Sequence, residues 1–148
     1  MTVFIALAMV VLIGFLGLAV DVGHLYIVKG ELQHAADAGA LAGAAAFASN
    51  SDPRQVAMDY VRENKSDGVK LQPIEPVCLE NESLISCAAP TPTSSVQVTV
   101  SRDSTHNGGP VPTFFARILS VGGSLDSFPV SATATARLNS SQKPHLIK

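Results

Sequence analysis

The first twenty residues, MTVFIALAMVVLIGFLGLAV, contain no charged side chain, and the first charge is Asp21. No Pro or turn signal interrupts the continuation, DVGHLYIVKGELQHAADAGALAGAAAFA, which runs to Ala48. As one helix, the apolar part is about 30 Å long and the whole stretch more than twice that. No small soluble core can bury such an object along its length, so lipid or other copies of the helix must cover its first half. The sequence therefore divides into an apolar membrane-spanning or filament-core segment (1–20), an amphipathic continuation of the same helix (21–48), a head (49–138) and a tail (139–148).

The 148 residues leave room for one modest domain beside that helix. Charged residues are only 15% of the chain, against roughly 25% in ordinary soluble domains, and the net charge is −2. Lys and Arg are scattered without forming a basic stripe, so nucleic acid is excluded as a partner. No Lys or Arg precedes Lys29, so these residues do not show the basic n-region of a signal peptide: either Met1 is a start Met or a basic leader has been removed.

From Asp21 onward, Leu18, Val22, Leu25, Val28, Leu32, Ala35, Gly39, Ala42 and Ala46 recur at spacings of three and four, which predicts a helical stripe. The stripe changes from Leu and Val to Ala and Gly, and small residues let another element approach the backbone closely. Leu32, Ala36, Asp37, Gly39 and Ala42 are the expected head-packing positions. Phe4, Ile5, Leu12, Gly14, Gly17 and Asp21 are the expected assembly positions. Gly14 and Gly17 predict either close helix approach or a local bend in an assembly, or they are the ordinary glycine of a membrane helix.

Ser51-Asp52-Pro53 predicts a helix restart, with a second helix burying Val56, Tyr60 and Val61, and Lys65 to Gly68 ends it with turn chemistry. Pro73 and Pro76 reduce Val69–Val77 to an edge strand or extended segment. Ser95–Ser101 is the cleanest strand, with Val96, Val98 and Val100 on one face. Arg102–Pro112 is a polar loop, and Thr113 is the expected cap of a short helix, TFFARILSV. Val130, Ala132, Ala134 and Ala136 form one face of a second strand. The expected fold is α+β: a long N-terminal helix bearing a small antiparallel β head with short helices.

Catalytic chemistry is not evident. His24, His34, His106 and His145 have no metal-ligand spacing, and the chain has no phosphate loop and no paired carboxylates; the expectation is no enzyme, no metal and no cofactor. Asp103, Ser104 and Asn107 have the oxygens for calcium, but also the composition of a polar turn. Cys78 and Cys87 admit a zinc site, a redox pair or a structural disulfide. Zinc lacks two further ligands nearby and a redox pair is usually closer. A disulfide suits an extracytoplasmic head and would stabilise it by roughly 2–3 kcal/mol. Asp21 is read as snorkelling at an interface, or as pairing with the N-terminal amine or Lys29 of a neighbouring subunit. Asp37 is either buried against backbone N–H groups of the head or solvated.

The segment Gly14 to Ala46, GFLGLAVDVGHLYIVKGELQHAADAGALAGAAA, resembles the N-terminal signature of the Tad (tight adherence) pilus-assembly proteins of the TadE/TadG-like group. The matching residues are Asp21, Gly23, Leu32, Gln33, Ala35, Ala36, Asp37, Ala40, Leu41 and Ala42. SVQVTVSRD, VPTFFARILSVGG and PVSATATARL resemble the same group, whereas 49–94 does not. The resemblance implies a membrane-targeted precursor processed by a prepilin peptidase and handled by pilus assembly machinery. The mature product would be a pilin-like subunit, or a minor component, at home in the inner membrane and then in an extracellular filament built from itself or other pilins. Type IV pilins usually carry Glu at the fifth mature position. This chain has Ile5, so that charge pairing with a neighbour's amine is not available there. The von Willebrand factor A-type adhesion domain of larger members does not fit within these residues.

Overall fold

In the computed structural model, helix α1 (Thr2–Ser49) is unbroken over 48 residues, about 70 Å of helix. Residues 1–49, 51–74, 78–79, 95–119 and 125–138 are described, with backbone only at 78, 79 and 119. Gly14 and Gly17 both lie inside this continuous helix. The head follows as α2 (Pro53–Arg62), β1 (Lys65–Ser66), β2 (Val69–Lys70), β3 (Cys78–Leu79), β4 (Ser95–Arg102), β5 (Val111–Pro112), α3 (Ala116–Leu119), β6 (Ser127–Phe128) and β7 (Val130–Arg137). This is the expected α+β arrangement of a long helix and a small antiparallel head.

The principal sheet has the order β3-β4-β7, with β4 and β7 antiparallel over eight residue pairs from Ser95↔Arg137 to Arg102↔Val130. Strand alternation puts Val96, Val98 and Val100 opposite Ala136, Ala134 and Ala132 on the face that α1 covers. The opposite face is polar: Thr99 and Thr133 share a 3.0 Å hydroxyl bond, and Gln97 Nε2 donates to Thr135 Oγ1 at 3.3 Å. One wet and one covered face is what a short antiparallel sheet can support.

Helix α1 packs between that sheet and α2 through its smallest residues. Leu32, Ala35, Ala36, Gly39, Ala40, Gly43 and Ala44 are buried, and Ala42 is half-buried. A Cβ built on Gly39 would lie 2.6 Å from Val61 Cγ2 and 3.0 Å from the Ala57 carbonyl oxygen. One turn on, a Cβ on Gly43 would meet Ala57, the Pro53 carbonyl and Val96, each at 3.0 Å. The glycines are thus where α2 and β4 reach the α1 backbone. Asp37, in contrast, is exposed and accepts from Gln33 Nε2 at 2.9 Å, so it belongs to the solvated face and not to the head contact.

Helix α2 begins as read, with Asp52 accepting from Arg54 N–H at 3.0 Å and Pro53 in its first turn. Its buried face differs, consisting of Ala57, Met58 and Val61, while Tyr60 is 49% exposed and Val56 half-buried. Close approach to Gly39 and Gly43 selects the small Ala57 over the bulkier aromatic neighbour. The expected turn at Lys65–Gly68 is in fact a hairpin, with Lys65↔Lys70 and Ser66↔Val69 flanking Asp67 and Gly68. Both central residues have positive φ (49° and 77°), as a two-residue primed turn requires.

The packing predicts opposite effects of the same substitution on one helix. Gly39→Ala should destabilise the protein by about 1–3 kcal/mol through overpacking. Gly30→Ala, where a Cβ would meet nothing within 4 Å, should be neutral or stabilise by up to about 1 kcal/mol through helix propensity. Denaturant unfolding of the detergent-solubilised full chain reads both.

Candidate assembly site at the helix–head junction

Asp21 is the first charge after the apolar run, and in the structure it is 2% exposed. Its carboxylate accepts three consecutive backbone N–H groups of the head: Phe114 to Oδ1 at 2.8 Å, and Phe115 and Ala116 to Oδ2 at 2.9 and 2.6 Å. These are donors that a helix start leaves without partners, here at the entrance to α3. Thr113, the expected cap, is instead engaged away from the helix: its N–H donates to the Asp126 carbonyl at 3.0 Å, and its hydroxyl donates to the Leu125 carbonyl. The cap of α3 therefore comes from α1, more than ninety residues earlier in the chain. An interfacial, snorkelling Asp21 is overturned by this geometry, because the carboxylate is enclosed and bound by the protein's own backbone.

The electrostatics follow from the same contacts. Burial pushes the Asp21 carboxyl up, but donation from Ala116, Phe114 and Phe115, aided by the nearby His24, outweighs it and holds the pKa below its ordinary value of 3.8. The close approach on the same side explains Gly17, where a Cβ would sit 2.6 Å from the Phe115 ring. Gly17 thus admits a residue of the chain's own head, whereas a Cβ on Gly14 would meet nothing within 4 Å. The ring of His24 meets Phe114 edge-on at 5.9 Å between centroids.

A second set of polar contacts ties the hairpin to α1 about one to three turns further along. Asp67 N–H donates to Glu31 Oε2 at 2.8 Å, and Asp67 Oδ2 lies 3.3 Å from Nη1 of the buried Arg102 and 3.7 Å from His24 Nε2. Arg102 Nε donates to the Gly109 carbonyl at 3.3 Å. The Arg102–Pro112 loop holds itself together by the same means. Asp103 is held far below the usual carboxylate range by the Ser101 and Thr105 hydroxyls, the Thr105 N–H and His106. Asn107 Oδ1 accepts from Gln72 N–H at 2.7 Å, and its Nδ2 donates to the Gln72 and Ser101 carbonyls. The Asp103 carboxylate and Asn107 Oδ1 thus serve as turn acceptors, and among the described residues no group of three His, Cys, Asp or Glu could hold a metal.

Beyond the junction the apolar run is bare. Phe4, Ile5 and Leu12 are 79%, 59% and 60% exposed, and before Gly17 only Gly14 is even half-buried. Among the described residues, α1 is the one helix long and apolar enough to cross a membrane. For the expected disulfide between Cys78 and Cys87, only the Cys78 backbone lies within the described residues, and Cys87 lies outside them. His145 and the tail lie outside them as well.

A long helix, bare over its apolar half and joined near its midpoint to a small antiparallel head, defines an α+β lollipop-like architecture. A family profile described as Flp pilus-assembly TadE/G-like matches residues 1–46, and one described as Tad-like Flp pilus-assembly matches residues 28–136, well over half of the chain. The chain belongs to the Tad-like Flp pilus-assembly family. No curated protein and no solved structure matches it.

Asp21→Asn keeps the shape but replaces a charged acceptor of two oxygens by an amide with one, and should destabilise the junction by about 1–3 kcal/mol. The sign of the pH effect is fixed by the lowered pKa: the wild-type contribution is present above about pH 4 and is lost as pH falls through the folded value. Unfolding followed from pH 7 to pH 2 should therefore show a stability difference between wild type and Asp21→Asn that narrows only in acid.

Proposed function

We propose that the chain is a structural, pilin-like subunit of a Tad-type pilus that polymerises through Met1–Val20 into an extracellular filament. The observation that carries this reading is the exposure of the apolar half of α1, while the buried core described for the head draws on α1 only from Val28 onward. Burying such a surface against lipid before assembly and against copies of itself afterwards supplies a driving force in both states, at about 25 cal/mol per Å² of apolar area. Membership of a pilus-assembly family supports the same role. In this reading the precursor resides in the inner membrane, a prepilin peptidase processes it, and pilus machinery extracts it. The reading assigns it no catalysis.

The description of the family as one of pilus assembly favours a second reading, in which the chain is a minor pilin or an inner-membrane assembly factor for a pilus built from another subunit. Immunogold electron microscopy of sheared cell-surface material separates the two. Labelling along filaments is expected for a polymerising subunit, whereas recovery only in the detergent-solubilised inner membrane overturns it. Leu12→Asp, which places a charge at the middle of the run at about 3 kcal/mol, should deplete the chain from both membrane and filament fractions.

A further inference from the structure

Phe115 belongs to the head, yet its ring lies against Gly17, one helical turn inside the apolar run. That places it about 6 Å below Asp21 along the axis of α1. The ring of Phe114 turns the other way, toward His24. The segment around α3 therefore straddles the level at which the apolar run ends. Ile118 follows Phe115 by one turn, its N–H donating to the Phe115 carbonyl at 3.0 Å. Both are apolar and uncovered: Phe115 is 40% exposed and Ile118 79%.

Length makes this placement consequential. Twenty residues of helix cover about 30 Å, the thickness of a bilayer's hydrocarbon core, and Asp21 is the first charge that follows them. If Met1–Val20 spans the membrane, Gly17 lies at or below the boundary, and a side chain packed on it is brought there too. Amphipathic segments that lie in the interface bury their apolar face about 5–10 Å into the headgroup and acyl boundary, the depth at which Phe115 is held.

We propose that the Phe115–Ile118 side of α3 is an interfacial anchor, inserted into the same membrane that Met1–Val20 spans, with lipid as its partner before assembly. The proposal rests on the membrane-spanning reading of that segment. Its consequence is that the head does not swing freely above the bilayer. Asp21 fixes α3 to α1, and α3 fixes the head to the lipid surface, so the subunit has a defined depth and tilt. Leaving the membrane then requires α3 to leave the interface along with the helix.

The chain contains no Trp, so a single introduced Trp reports on one position. Full-length Ile118→Trp, Leu12→Trp and Tyr60→Trp are reconstituted into phosphatidylcholine–phosphatidylglycerol vesicles. The phosphatidylcholine is brominated either near the carbonyl end or near the methyl end of its acyl chains. Ile118 is mostly exposed, so Trp is accommodated there without repacking. The proposal expects Ile118→Trp to be blue-shifted and to lose about half its emission to the shallow bromines, with less loss to the deep ones. Leu12→Trp should be quenched most by the deep bromines, and Tyr60→Trp, on α2, by neither. Unquenched Ile118→Trp with quenched Leu12→Trp overturns the anchor and leaves the spanning helix intact. Failure of quenching in both overturns the membrane-spanning reading together with the anchor. A blue shift of Ile118→Trp confined to assembled filaments identifies the face as a contact with a second copy, and also overturns the proposal.

Discussion

The contact between the Asp21 carboxylate and the N–H groups of Phe114, Phe115 and Ala116 joins two parts of the molecule that answer to different solvents. A carboxylate with 2% of its residue surface exposed must be paired or hydrogen-bonded to remain charged. Three backbone donors, themselves without partners at the start of a short helix, meet that need, and each side satisfies the other. Without the carboxylate, α3 would have an open end beside an apolar helix. Without α3, the charge would stand at the edge of an apolar surface with only water to support it.

The rest of the fold is consistent with this fixed point. From Val28 onward α1 is covered by the head, and its glycines and alanines let α2 and the Val96–Val98–Val100 face of the sheet close on the backbone. The Asp67 hairpin, held by Glu31, His24 and Arg102, steadies the same stretch from the side. Below Asp21 the helix has almost no intramolecular cover, so the energy stored in its exposed apolar side chains is available only to lipid or to other subunits.

Much of this was legible from local pattern. The apolar run, the Asp52-Pro53 restart of α2 and the alternating strands Ser95–Arg102 and Val130–Arg137 depend on neighbours within a few residues, which a sequence displays directly. The stripe on α1 was legible in its Ala/Gly half and mis-phased at its start. Leu18 and Val22 are 44% and 43% exposed, while Gly17 and Asp21 face the head. Apolar periodicity selects the largest hydrophobes, whereas here the buried positions are a glycine that a ring needs and an acid that a helix end needs. The capping of α3 was illegible for a related reason, since Thr113 carries the local signal and Asp21, distant in sequence, takes the role. Asp67-Gly68 did carry a readable hairpin signal, hidden by its position immediately after a helix.

The account depends most on the Asp21 junction, and amide hydrogen exchange tests it directly. In the full chain reconstituted in detergent micelles or nanodiscs, the N–H groups of Phe114, Phe115 and Ala116 should exchange slowly at neutral pH although the side chains of Phe114 and Phe115 are substantially exposed. Exchange of these three amides at the rate of an open loop would contradict the account, because the head would then hang on α1 without the bond that positions it.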